Sequence, residues 1–234
     1  MKTLGIIGGI GPESTIEYYR RLHALYRERI PDGTAPSIII NSIDMKKLLG
    51  LVEVNELDEL TGYLSAEVEK LARGGATFAL FAANTPHLVF DPVARRSPIP
   101  LISIVEATCE TAKAAGLKRL GLFGTRFTMR SSFYPDVLSD HQIEMVVPNE
   151  EEQLYLHDKY MNELVKGIIL PETRERLITI IKTLKERSQI DGVILGGTEL
   201  SLILCEKTVA GVQVLDTTQI HVEAAVARLL SGTS

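Results

Sequence analysis

The sequence predicts an α/β fold of two similar lobes, each with a mostly parallel sheet flanked by helices. Short apolar runs bounded by glycine alternate with longer segments in which apolar residues recur every three or four positions. This alternation is typical of buried parallel strands separated by helices. Two turn motifs also occur twice along the chain, which favours a duplicated lobe.

The apolar runs predict strands, and the amphipathic segments between them predict helices that pack on the sheets. The predicted strands are Thr3–Ile7, Ser37–Ile43, Phe78–Phe81, Leu101–Ser103, Arg119–Phe123, Glu144–Val147, Gly192–Leu195 and Val212–Leu215. The predicted helices are Glu13–Arg29, Leu57–Arg73, Val105–Ala115, Pro171–Arg187 and Thr218–Leu230.

The duplication rests on two pairs of matching segments. Gly5–Gly9 resembles Gly121–Thr125, and Leu80–Thr85 resembles Ile194–Glu199 at nearly the same displacement. We expect residues 1–113, joined by 214–234, to form one lobe and residues 114–213 the other, related by a pseudo-twofold axis. Ligands bind beyond the carboxyl ends of parallel strands, where all four turns are predicted to lie, so an active-site cleft is expected between the lobes.

Charge and composition disfavour several classes of protein. The chain of 234 residues has a formal net charge of −5, which argues against a nucleic-acid partner. Its two cysteines form no Cys-x-x-Cys pair, so neither a disulfide framework nor a structural zinc site is predicted. No apolar run approaches the ~20 residues that span a bilayer, and no secretion signal precedes the first strand, so we expect a cytoplasmic protein without membrane contact.

The glycine-rich turn after the first predicted strand has three interpretations. Its glycines permit close backbone approach, so Gly9 and Ile10 are candidate ligand contacts. The turn is similar to a dinucleotide-binding loop, but Ser14 stands where the third glycine would be, and Asp44 after the second strand adds little support. A small-anion site and a tight turn without a ligand are the alternatives.

The turn after the third predicted strand, Ala82–His87, carries two short polar side chains at a helix start. Asn84 and Thr85 can donate hydrogen bonds to a carboxylate, and a routine helix N-cap is the alternative. His87 is a candidate base, or an imidazole satisfied by a nearby carbonyl.

The corresponding turns of the second half offer further candidates. Thr125, Arg126 and Thr128 place two hydroxyls and a guanidinium in one turn, which suits a carboxylate; a surface arginine with two capping threonines is the alternative. Glu199, which follows Gly197 and Thr198, can interact with a ligand amine or simply favour the helix dipole.

Three weaker features have structural explanations. Cys109 falls on an amphipathic helix and is expected in the core, and Cys205 lies too far past Gly197 to replace a side chain there. The acidic run Glu150–Glu152 is expected to face solvent at a helix start and forms no recognisable metal site.

Taken in order, these motifs resemble the signature of the aspartate/glutamate racemase family over nearly the whole chain. The matching segments are Gly8–Pro12, Asn84–His87, Gly124–Met129 and Gly197–Glu199. The resemblance implies cofactor-independent chemistry, without pyridoxal phosphate or metal, in which two cysteines move the α-proton on opposite sides of an amino acid. Here the two cysteine positions hold Ala83 and Gly197, whose side chains cannot transfer a proton.

The substrate-binding residues of the family carry over better than its thiols. The resemblance assigns substrate carboxylate and amine contacts to Asn84, Thr85, Thr125, Thr128 and Thr198. Lys166 resembles a cleft lysine of aspartate-type members, with a solvated helix lysine as the alternative. Thr85, Thr198, Glu199 and His87 are the nearby candidates for altered chemistry, and the resemblance also implies a homodimer.

Three functions remain open from the sequence. One is racemisation or epimerisation of an acidic amino acid by groups other than cysteine. Another is a different isomerase or lyase reaction on a small carboxylate, which needs no symmetric pair of bases. The third is a catalytically inactive protein that binds a carboxylate.

Overall fold

The structure, a computed structural model, describes residues 2–231. These residues divide into two compact units: residues 2–104 with 221–231, and residues 105–220. The boundary expected at residue 113 falls inside a helix, Ile104–Ala114. The return to the first unit begins at residue 221 rather than 214, because Val212–Asp216 is a strand of the second sheet.

The first unit contains a four-stranded, wholly parallel sheet in the order β2-β1-β3-β4. Its elements are β1 (Thr3–Gly8), α1 (Pro12–Arg29), β2 (Ser37–Ser42), α2 (Met45–Glu53), α3 (Leu57–Arg73), β3 (Phe78–Phe81), a 3-10 helix (Thr85–Val89), α4 (Phe90–Arg96) and β4 (Leu101–Ile102). Helix α5 (Ile104–Ala114) begins at its boundary.

The second unit contains a five-stranded sheet in the order β6-β5-β7-β9-β8, parallel except for β8. Its elements are β5 (Arg119–Phe123), α6 (Arg126–Arg130), α7 (Phe133–Asp140), β6 (Glu144–Val146), α8 (Glu150–Asn162), a 3-10 helix (Leu164–Lys166), α9 (Pro171–Ser188), β7 (Gly192–Leu195), a 3-10 helix (Thr198–Leu202), β8 (Thr208–Val209) and β9 (Val212–Asp216). Helix α10 (Thr217–Leu230) starts here and ends in the first unit.

The core of the first unit follows from the alternation of side chains along β1. Leu4 and Ile6 point to one face, where Tyr18 and Leu22 of α1 and an apolar stripe of α10 cover them. On the other face, a side chain at Gly5 would meet Leu71 of α3. The sheet is therefore buried on both sides, which is why its strands are continuous apolar runs.

Every predicted strand and every predicted helix is present, and the observed ends differ from the predicted ends by at most one residue. The two sheets also repeat one topology. In the first sheet β1 lies between β2 and β3, and in the second sheet β5 lies between β6 and β7 in the same way. The α/β fold with two similar lobes is thus confirmed. Within residues 2–231, no helix has the length and apolar character needed to cross a bilayer.

Candidate functional site

The glycine-rich turn after β1 closes on its own chain. Gly9 has a φ of +81°, and a side chain there would collide with the Ile43 carbonyl oxygen at 2.5 Å. A side chain at Gly8 would lie 2.5 Å from Thr15 Cγ2, and the Gly9 N–H already donates to Thr15 Oγ1 over 2.9 Å. Since that N–H is used, the geometry favours a tight turn over a phosphate loop. Ile10 is buried beside it.

Asp44, the acidic residue that a dinucleotide site would use, has a different role. Asp44 is the N-cap of α2, where its Oδ1 accepts from the Lys46 N–H over 2.8 Å and from the Lys47 N–H over 3.4 Å. Capping the free N–H groups of a helix start is a common use of aspartate.

The turn after β3 places Ala83 and Asn84 in buried positions. The Ser14 hydroxyl donates to the Ala82 carbonyl oxygen over 2.9 Å and holds the turn against α1. Asn84 precedes the 3-10 helix that Thr85 begins, but its side chain makes no capping hydrogen bond. The routine N-cap considered from the sequence is therefore not formed.

His87 is held as a neutral, structural imidazole. Its Nε2 accepts from the Ile104 backbone N–H over 3.1 Å, so the ring proton is on Nδ1, which donates to the Asn84 carbonyl oxygen over 3.2 Å. The ring stacks on Phe90 at 4.9 Å. Burial, and secondarily the nearby His221, lower the pKa of His87 to about 3. These contacts favour the structural interpretation of His87 over a base.

A second buried histidine, which sequence reasoning missed, supports the same region. His221 Nε2 donates to the Ile102 carbonyl oxygen over 3.0 Å, and its Nδ1 accepts from the Tyr18 hydroxyl over 2.9 Å. Burial lowers the pKa of His221 to about 4. His87 thus links the Ile104 backbone to the Asn84 turn, and His221 holds the same segment two residues earlier, at Ile102.

The turn after β5 is organised by its two threonines. The Thr125 hydroxyl accepts from the Thr128 N–H over 3.2 Å and lies 3.1 Å from the Thr128 hydroxyl, so it is the N-cap of α6. Thr128 is buried, whereas Arg126 is exposed. The backbone N–H of Arg126 donates to His157 Nδ1 over 3.3 Å. Burial first, and then the Arg126 charge, lower the pKa of His157.

The turn after β7 brings Tyr160 against Gly197. A Cβ atom at position 197 would lie 2.9 Å from Tyr160 Cζ and 3.1 Å from its hydroxyl oxygen, with Cε2 nearer still. Gly197 has φ −135° and ψ 122°, a conformation open to any residue. The glycine is required by the tyrosine ring and not by the backbone.

A buried hydrogen-bonded group lies at this turn. The Tyr160 hydroxyl donates to Glu199 Oε2, and the Thr198 hydroxyl donates to the same oxygen over 2.9 Å. Tyr160 is 8% exposed and Glu199 2% exposed. Burial, and then the Glu199 charge, raise the pKa of Tyr160 well above its usual value.

The remaining candidates lie outside these turns. Lys166 is exposed, with its ammonium 3.5 Å from the Asn162 amide oxygen. Cys109 is buried and Cys205 exposed, and burial raises the pKa of Cys109. The acidic run starts α8 through a capping box between Asn149 and Glu152. No cluster of potential metal ligands occurs among residues 2–231.

Comparison with known proteins agrees with this architecture. The model of the Asp/Glu/Hydantoin racemase family matches residues 7–225. A candidate Asp/Glu racemase from Yersinia pestis is 33% identical, with a TM-score of 0.90 over 99% of this chain and 100% of that one. An aspartate racemase homologue from Pyrococcus horikoshii is 37% identical, with a TM-score of 0.85 over 98% and 99%. The aspartate racemase of Picrophilus torridus shares the fold at 20% identity, with a TM-score of 0.75 over 98% and 94%.

The chain is thus a two-lobed α/β protein of the isomerase class, and it belongs to the Asp/Glu/Hydantoin racemase family. The description of the family names racemases of aspartate, glutamate and hydantoins.

Proposed function

We propose that this protein binds an acidic amino acid or a similar small carboxylate and moves its α-proton through groups other than cysteine, as a cofactor-independent racemase or epimerase. The turns after β3, β5 and β7 supply the substrate contacts, through Asn84 and Thr85, Thr125 and Thr128, and Thr198. Further proposed substrate contacts are Gly9, Ile10, Arg126 and Lys166.

The observation that carries this proposal is the Glu199 carboxylate. It is buried and hydrogen-bonded at the end of β7, beside the position where the family resemblance expects a thiol. A buried carboxylate held in this way is an acid/base group that can serve in place of sulfur.

The test is exchange of the α-proton in deuterium oxide with L-aspartate, D-aspartate, L-glutamate and D-glutamate, followed by proton NMR and chiral chromatography. A racemase gives the deuterated opposite enantiomer. No exchange and no inversion with all four amino acids would reject the proposal for these substrates.

A second function, an isomerase or lyase reaction that needs one base, is favoured by the turn after β3. Ala83 has no ionisable group, and both ring nitrogens of His87 are engaged. Inversion needs proton transfer on both faces of a planar carbon. Exchange that retains the starting configuration, or loss of a carboxyl group, would identify this alternative. A rise in melting temperature without any reaction would identify an inactive carboxylate-binding protein.

We also propose that the protein works in the cytoplasm as a homodimer, without pyridoxal phosphate or metal. Light scattering measures the assembly directly. Dialysis against a chelator must leave the exchange rate unchanged, since the proposed proton transfer uses side chains alone.

A further inference from the structure

We propose that Tyr160 takes the place of the family's second thiol, and that Tyr160 and Glu199 together form the acid/base group of the turn after β7. This inference rests on the proposed function, because the proton that the pair carries is the α-proton of the substrate.

The steric relation between Tyr160 and Gly197 is the first step. The ring occupies the space that a side chain at position 197 would enter, and the phenol oxygen lies 3.1 Å from the position of that side chain's Cβ. A thiol at 197 and the Tyr160 ring therefore exclude one another. The phenol oxygen reaches the region from the neighbouring helix, α8, instead of from the turn itself.

The second step is the way in which the pair is fixed. Tyr160 and Leu156 lie one turn apart on the buried face of α8, which orients the ring. Glu199 Oε2 accepts from both Tyr160 and Thr198. Two donors on one oxygen hold the carboxylate in a single orientation, and such fixed groups lose little freedom when a substrate reacts.

The third step is the chemistry that the pair permits. The raised pKa of Tyr160 keeps its hydroxyl protonated at neutral pH, so the phenol cannot accept a proton unless it gives one up. In the proposed relay the α C–H bond breaks and its proton forms a bond to the Tyr160 oxygen. At the same time the original hydroxyl proton moves to Glu199 Oε2.

This relay is balanced in atoms and charge. The electron pair of the C–H bond stays on the substrate as an enolate, the negative charge leaves Glu199, and Tyr160 is neutral before and after. The reverse sequence returns a proton to the same face of the carbon, so inversion also needs a proton donor on the opposite face, which this pair does not supply. Tyr160 is then the catalytic residue that meets the reacting carbon, and Glu199 is the base behind it.

The experiment compares Tyr160→Phe, Glu199→Gln and, as a matched control on the same helix, Tyr155→Phe. Both Tyr160→Phe and Glu199→Gln keep the size of the side chain, and circular dichroism checks their folding. Each is expected to lower the rate of α-proton exchange by roughly 10²–10⁴-fold, the usual contribution of a general acid/base group. Substrate is still expected to raise the melting temperature of Tyr160→Phe and Glu199→Gln. Tyr155→Phe is expected to exchange the α-proton at the wild-type rate.

The split between kcat and KM separates a chemical role from a structural one. In Tyr160→Phe and in Glu199→Gln, kcat for exchange is expected to fall while KM stays near the wild-type value, because the pair acts on the reacting carbon in the transition state. If the wild-type chain exchanges the α-proton and Tyr160→Phe exchanges it at the same rate, this inference alone would be overturned. Failure of the wild-type chain to exchange with any of the four amino acids would overturn the proposed function and this inference together.

Discussion

Replacement of Gly197 by alanine tests whether the Tyr160 ring really occupies the side-chain space of that position. The new Cβ would lie 2.9 Å from Tyr160 Cζ and closer to Cε2, whereas carbon atoms in contact keep about 3.5–4.0 Å apart. The ring must move by about 1 Å to bring Cε2, its nearest atom, to the lower limit of that contact range. Its hydroxyl is anchored on Glu199, so the movement also strains that hydrogen bond.

The expected cost follows from this overlap. Overpacking of a buried site lowers the free energy of unfolding by about 1–3 kcal/mol. Because the ring is anchored, we expect Gly197→Ala to lower it by ~3 kcal/mol. For a chain of this size that corresponds to a fall in melting temperature of roughly 6–12 °C. Urea unfolding followed by circular dichroism measures the free energy, and calorimetry measures the melting temperature.

Two comparisons make the measurement specific. Gly50→Ala is the control, because nothing lies within 4 Å of its new Cβ and alanine is favoured in a helix by roughly 0.5–1 kcal/mol. In a Tyr160→Ala background the collision is gone, so Gly197→Ala is expected to cost little, with a coupling free energy of about 0.5–3 kcal/mol. Equal costs of Gly197→Ala in both backgrounds would refute the steric argument.

Other predictions follow from the remaining sites. His87 and His221 stay neutral in the folded chain down to pKa values of about 3 and about 4, while unfolded histidine takes up a proton below ~6.5. The unfolded state thus binds more protons in this window, and the free energy of unfolding should fall with falling pH by ~1.4 kcal/mol per unit for each histidine. Urea titrations should show His221→Gln with a flatter acid limb, and an unchanged slope would contradict the assignment. Succinate should raise the melting temperature, and Thr85→Val with Thr125→Val should abolish the rise, with exposed Thr179→Val as control; a full response in the double variant would contradict the carboxylate contacts. Restoring thiols through Ala83→Cys and Gly197→Cys should give a stable protein only with Tyr160→Ala added, as thermal unfolding would show; a stable variant that keeps Tyr160 would argue against the collision.

The sequence predicted the sheets well because buried parallel strands have a local signature. Runs such as Phe78–Phe81 and Gly192–Leu195 are apolar, short and followed by small residues, and each became a strand with those bounds. The repeated turns after these strands were predicted for the same reason.

Only the start of helix α8 was predicted, at the acidic run Glu150–Glu152, and the contact of Tyr160 was not predicted; the reasons differ. Helix α8 carries few apolar residues among its charges, so its periodicity is weak, although Asn149 and Glu152 spell a capping box that signals its start. The contact of Tyr160 with Gly197 joins distant parts of the chain through tertiary packing. A glycine in the sequence does not tell which side chain requires it.

The most direct test of the central claim uses a protein without thiols. The sequence has only two cysteines, so Cys109→Ala with Cys205→Ser removes every thiol. We expect this variant to exchange the α-proton of its amino-acid substrate at the wild-type rate, since Tyr160 and Glu199 remain. Loss of exchange in the folded, cysteine-free chain would contradict the account.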